Sequence, residues 1–191
     1  MGIDYFISNA FTTLHGCGFL NNLMLFFSNL GDNGYLFLLI AVFLLPFRKY
    51  RHISFGLIIS AVLILLVNNV ILKGTIARPR PFETYPEFVP YVLGELPTSY
   101  SFPSGHTAVN FAYAAFFCCY RSKYKNMAIF SSIFAAIVGF SRIYLIHHYF
   151  TDVMVGIVVG VGCGVAAYFL LQLIKKLLIK LKLVNDCEKQ K

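Results

Sequence analysis

Residues 141–152 read Ser141-Arg-Ile-Tyr-Leu-Ile-His-His-Tyr-Phe-Thr-Asp152. They form a polar knot between two long apolar runs, 127–146 and 151–174, and that contrast sets the fold class. A helix needs about 20 apolar residues to cross the hydrocarbon core of a bilayer. Working outward, further apolar runs fall at about 34–47, 54–72 and 105–120. Of the 191 residues, 58% are hydrophobic and 13% charged, against roughly 25% charged in soluble domains. The expectation is an all-α, polytopic membrane helical bundle of about five transmembrane helices. Residues 1–31 are interrupted by Asp4, Asn9, His15, Asn21, Asn22 and Asn29. They read as short interfacial helices ahead of a transmembrane core at 32–174 and a basic tail at 175–191. The length and the absence of a spacer fit a single domain over 1–191.

The net charge of +8 has a topological reading. With spans alternating, Arg48, Lys49 and Arg51, then Arg121, Lys123 and Lys125, then the six lysines from Lys175 to Lys191 all fall on one face. Lysine and arginine mark the cytoplasmic side, so a cytoplasmic C-terminus is expected. Twelve of the sixteen basic residues are thereby assigned to topology, and nucleic acid is not needed as a partner. The other four, Lys73, Arg78, Arg80 and Arg142, defy the bias. They share the extracytoplasmic face with His106, His148 and Asp152. The five cysteines show no disulfide or metal spacing and receive no role.

Three segments of this face carry chemistry. On a helix, His148 and Asp152 stand at i and i+4 and face each other. The carboxylate takes one imidazole N–H and leaves the other nitrogen's lone pair free, as a base or nucleophile requires. His147 lacks such a partner. Lys73, Arg78 and Arg80 lie within one short stretch at the exit of the second apolar run. Singly, each could snorkel from a helix end; together they point to an anion site, since arginine offers a bidentate fork and lysine a point charge. Pro103-Ser104-Gly105-His106 reads as a helix start. Free N–H groups at a helix N-terminus cradle phosphate, with Gly105 allowing close approach and the Ser104 hydroxyl adding a donor.

Lys73-x6-Arg80-Pro81, Pro103-Ser104-Gly105-His106 and Ser141-Arg142-x5-His148-x3-Asp152, in that order and separation, resemble the type 2 phosphatidic acid phosphatase (PAP2) superfamily. The resemblance implies a membrane lipid phosphatase that uses no metal and no cofactor. It implies that His148 attacks phosphorus to form a phosphohistidine, with Asp152 orienting it. His106 would protonate the leaving oxygen and then activate water, while Lys73, Arg80, Ser104, Gly105 and Arg142 bind the phosphoryl oxygens. By family analogy the substrate is expected to be undecaprenyl diphosphate first, phosphatidylglycerophosphate or phosphatidate second, and lipid A 1-phosphate third. Two departures stand out. Members commonly have six spans, and Ile146 occupies a position where many have glycine. An anion transporter is the competing expectation, but transporters place ionisable groups near mid-membrane, whereas every basic residue here lies at a segment end. Oligomeric state is not legible, although Gly156-x3-Gly160-x3-Gly164 would let a neighbouring helix approach closely.

Overall fold

The structure, a computed structural model, describes residues 2–188, with side chains through Leu181 except that of Arg121. Lys189 and Lys191 of the expected basic tail lie outside the described residues. Every regular element among those described is helical: α1 (Ile3–Thr12), α2 (Gly18–Leu30), α3 (Tyr35–Leu44), α4 (Arg51–Ile64), α5 (Lys73–Ile76), α6 (Pro81–Thr84), α7 (Gly105–Cys118), α8 (Lys125–Tyr144) and α9 (Phe150–Glu188). A π-helical stretch, Leu65–Leu72, joins α4 to α5. Among the described residues, four segments are long and apolar enough to cross a membrane: Gly18–Leu44, Arg51–Thr84, Ser122–Tyr144 and Phe150–Leu181. Their outer surfaces carry exposed apolar side chains such as Phe19, Phe43, Val158 and Phe169, as expected of a surface that faces lipid rather than water.

The middle of the bundle is α7. Its 14 residues make about 21 Å of helix, short of the ~30 Å hydrocarbon core, and ten of them are buried. A helix that is buried all round must be surrounded, and α7 packs between α8 and α9 with α4 against it. Small residues permit this. Gly156, Gly160 and Gly164 of α9 face the backbone carbonyls of Ser104, Ala108 and Ala112. The paired numbers rise together, so α7 and α9 run parallel in fixed register, and both helices begin at the same end of the bundle. The glycine seam noted in the sequence is therefore used within the chain.

The N-terminal region differs from expectation. α2 does not lie apart as an interfacial helix; it continues through Asp32–Gly34 into α3 as one kinked segment, Gly18–Leu44. One of the asparagines that looked interfacial, Asn21, is satisfied by protein. The Asn21 amide donates to the His15 carbonyl (2.9 Å) and its oxygen accepts the Tyr144 hydroxyl (2.7 Å). The kink has a local cause. Asn33 and Gly34 take left-handed backbone angles, and a Cβ at Gly34 would strike the Tyr113 ring. At the other terminus α9 runs on to Glu188, so the basic segment from Lys175 is helical as far as it is described.

The loops between helices sort the charges by end. His52 Nε2 meets the Tyr124 hydroxyl at 3.1 Å, bringing the basic stretches 48–51 and 121–125 to the end opposite the starts of α7 and α9. The seam is testable by substitution. Gly160→Ala places a methyl group against backbone, where overpacking costs about 1–3 kcal/mol, and should lower the melting temperature in detergent by roughly 5 °C. Gly162→Ala, whose Cβ meets no atom within 4 Å, should leave it unchanged or slightly raised.

Candidate active site

The start of α7, the exit of α4, the end of α8 and the turn before α9 surround a cavity of about 290 Å³. Six of the eight residues singled out in the sequence line it: Lys73, Arg80, Gly105, His106, Arg142 and His148. The other two, Ser104 and Asp152, are fully buried behind its wall.

His148 is not on a helix. α8 ends at Tyr144, Ile146 adopts φ +58, and α9 begins only at Phe150. The Arg142 carbonyl accepts the N–H groups of both His147 (3.1 Å) and His148 (3.2 Å) across this reversal. A β-branched residue in the left-handed region is strained, and a glycine at Ile146 would relieve that strain. Asp152 nevertheless reaches back. It is the third residue of α9, and its Oδ2 accepts the Tyr149 N–H at 3.0 Å, as a carboxylate at that position does in a capping box. The same oxygen lies 3.7 Å from His148 Nδ1. The Ser101 hydroxyl bridges the two, donating to Asp152 Oδ2 and sitting 3.5 Å from Nδ1. His148 Nε2 is left facing Arg80 Nη1 at 3.4 Å. Burial, reinforced by the positive charges of Arg80 and Arg142, holds the His148 imidazole well below its ordinary pKa, so the ring is neutral and Nε2 keeps a lone pair.

The cations are braced rather than loose. Arg80 is the N-cap of α6, fixed by Pro81 at the first helical position and by its own N–H donating to Glu83 Oε2 (2.6 Å). Its guanidinium donates to the carbonyls of Ser99 (2.7 Å) and His147 (2.6 Å). Lys73 Nζ donates to Ser99 Oγ at 3.0 Å. Arg142 Nη1 donates to Ser28 Oγ on α2, while its buried Nε has no protein partner. His106 Nε2 lies 2.9 Å from Asp32 Oδ1, at the kink of the first segment. Ser104 differs from expectation: its hydroxyl pairs with Thr107 Oγ1 (2.9 Å) and does not line the cavity. Its backbone N–H donates to the Asp152 carbonyl (3.1 Å), tying the starts of α7 and α9 together.

Several contributors were not singled out from sequence. Ser99 and Ser101 belong to the proline-rich segment 74–103, which carries no periodicity to read. Asp32 stands within Gly31-Asp32-Asn33-Gly34, whose sequence reads as a turn and not as a site. Arg78 was counted among the cations but given no contact; it donates to Asp152 Oδ1 at 2.6 Å. Among the described residues no three His, Cys, Asp or Glu side chains converge as a metal-ligand set.

Residues 49–176 match the sequence model of the PAP2 superfamily. The chain belongs to that superfamily. It is 35% identical over 143 residues to an undecaprenyl-diphosphatase of Sulfolobus acidocaldarius, covering 74% of this chain and 66% of that one. It is also 35% identical over 151 residues to phosphatidylglycerophosphatase B of Bacillus subtilis, covering 74% and 70%. The chain thus spans about two thirds of the length of these curated relatives. Among solved structures it resembles a transmembrane PAP2-type phosphatidylglycerolphosphate phosphatase from Bacillus subtilis, with a TM-score of 0.68 and 27% identity, covering 91% of this chain and 84% of that one.

The PAP2 cavity makes a prediction about Gly105. A Cβ there would meet only Asn68 and Asn69, at an ordinary 3.6 Å, so the fold does not demand glycine. Gly105→Ala should keep the wild-type melting temperature yet weaken inorganic phosphate binding about tenfold or more, read by calorimetry, because the methyl group enters the anion cradle.

Proposed function

We propose that this membrane protein hydrolyses the phosphate or diphosphate group of a lipid through a phosphohistidine on His148. The observation that carries the reading is the two-sided placement of that ring. Nδ1 is backed by Asp152 and Ser101, while Nε2 faces a cavity bordered by Lys73, Arg80 and Arg142. A neutral imidazole so held is an activated nucleophile, and fixed cations stabilise charge that builds on equatorial phosphoryl oxygens.

In the first step the Nε2 lone pair forms a P–N bond and the bond from phosphorus to the leaving oxygen breaks. His106 gives that oxygen a proton. In the second step water attacks phosphorus, His106 takes its proton, the P–N bond breaks and inorganic phosphate leaves. Asp32 steadies His106 when it is charged. Lys73, Arg80, Arg142 and the start of α7 at Gly105 hold the phosphoryl group, with Ser104 behind the wall tying that start to α9. Fixed cations supply the electrostatic work for which a metal would otherwise serve, so turnover is expected to be metal-independent.

Undecaprenyl diphosphate is the first substrate to test. The two relatives described above carry names for different lipids at equal identity, and the phosphate cavity reads only the group that both share. The same reading places the site on the extracytoplasmic face and the C-terminus in the cytoplasm, because basic residues cluster at the end opposite the site.

Detergent-purified protein with EDTA present should release phosphate from undecaprenyl diphosphate faster than from phosphatidylglycerophosphate or phosphatidate, and His148→Ala should abolish release. Undiminished release by that variant would remove the nucleophile assignment; anion flux in liposomes without release from any lipid would favour transport. Arg142→Ala should lower turnover by about 10²–10³, while Lys176→Ala, at the opposite end, should change it little. For sidedness, Val89→Cys in a cysteine-free background should react with an impermeant thiol reagent on intact cells. Reaction only after lysis would reverse the orientation.

A further inference from the structure

Asp152 is fully buried, and a buried carboxylate is costly unless donors surround it. Its Oδ2 accepts the Ser101 hydroxyl and the Tyr149 N–H, and its Oδ1 accepts Arg78 Nη1 at 2.6 Å. Arg78 is in turn gripped from the far side by a residue outside the family-matched stretch 49–176. Its Nη2 donates to Asp4 Oδ2 at 2.8 Å. Asp4 also holds the start of α9, where its Oδ1 accepts the Thr151 N–H (3.0 Å) and its Oδ2 accepts the Thr151 hydroxyl (2.6 Å). Arg78 Nη1 reaches the same hydroxyl oxygen at 2.8 Å, and its guanidinium stacks 3.9 Å from the Tyr149 ring centroid. The result is a chain of groups running Asp4, Arg78, Asp152, Ser101 and His148.

We propose that Asp4, on the N-terminal helix α1, is a positioning residue for the reaction: it clamps Arg78 and the first turn of α9, and thereby fixes the carboxylate that orients His148. The inference rests on the phosphatase reading above. The plain alternative is that Asp4 merely anchors α1 to the bundle. Two features favour the stronger role. A carboxylate at a helix N-terminus is held by free N–H groups and by the helix dipole, and the turn it caps here carries Asp152 and follows directly on His148 and Tyr149. The Arg78 side chain is also 28% exposed, so water competes for its guanidinium. With one arm on Asp4 it stays on Asp152; without Asp4 it is free to swing out. Burial alone would raise the Asp4 pKa, yet hydrogen bonds from Arg78 and Thr151 outweigh that and hold it below the usual carboxylate value, so the clamp is charged. Lys73, Arg80 and Arg142 make no contact with Asp4, so loss of the clamp should slow the chemical step and spare substrate binding.

The test is steady-state kinetics of the full-length protein in detergent on whichever lipid the wild type hydrolyses. Asp4→Asn should lower kcat about tenfold with KM within about twofold, and Asp4→Glu should recover most of the loss. Arg78→Gln should lower kcat further, and adding Asp4→Asn to it should cost less than about twofold more, because the two act as one unit. Thr151→Val, which removes one clamp hydroxyl with little change of shape, should lower kcat about threefold at unchanged KM; it stands in if Asp4→Asn does not fold. Wild-type kcat in folded Asp4→Asn, a lowered melting temperature with unchanged kcat, or losses that multiply in full with Arg78→Gln would each overturn the proposal. A wild type that releases no phosphate from any lipid would overturn the phosphatase reading and this inference with it, whereas active wild type with an indifferent Asp4 removes this inference alone.

Discussion

Backbone contact between α7 and α9 is the constraint on which the rest depends. Three glycines at four-residue spacing meet three carbonyls at the same spacing, so the helices run parallel and cannot slide by less than a turn. A one-turn slip would move His106 about 5 Å relative to Asp152 and dismantle the site. Parallel packing also sends both helix N-termini to one end, where their dipoles add positive potential and the Ser104 N–H joins the Asp152 carbonyl. α4 and its π-helical extension then deliver Lys73 and Arg80 to that end, and α8 delivers Arg142.

Three cations gathered around a small cavity repel one another, and their neighbours show how the repulsion is contained. Each is held by carbonyl or hydroxyl oxygen: Lys73 and Arg80 by Ser99 of the proline-rich loop, Arg80 also by His147 of the α8–α9 turn, and Arg142 by Ser28 of α2. The two carboxylates at the site are each committed to a partner, Asp32 to His106 and Asp152 to Arg78 and Ser101. Neither is left to oppose an entering anion, and the unpartnered Arg142 Nε is the donor that the proposed phosphoryl group would meet. This division of labour explains why a site with aspartates in it still presents a positive cavity.

The residues that touch the cavity were largely legible in the sequence because they break a pattern. Lys73, Arg80 and Arg142 sit on the wrong side of a charge asymmetry, and Gly105 and His106 sit at a helix start, all local signals. The glycine spacing of α9 announced a close contact without naming the partner. What could not be read was tertiary. Ser101 lies 47 residues from His148 and Asp4 lies 74 from Arg78, and no spacing rule joins such positions. The i, i+4 spacing points to the His148–Asp152 pair, yet the geometry is that of a turn and a helix cap, because Ile146 reverses the chain before α9 begins. The continuation of α2 into α3 is tertiary in the same sense. Asn21 and Ser28 look solvent-facing by composition, but Tyr144 and Arg142 of α8 give them partners inside the protein.

The central claim is that phosphorus is transferred to His148, and rapid quenching tests it most directly. Protein mixed briefly with a radiolabelled lipid phosphate and denatured in alkali, where phosphohistidine survives, should carry label on the peptide that contains His148, and His148→Ala should carry none. Rapid turnover with no label trapped at any quench time, or label that persists in His148→Ala, would contradict the account.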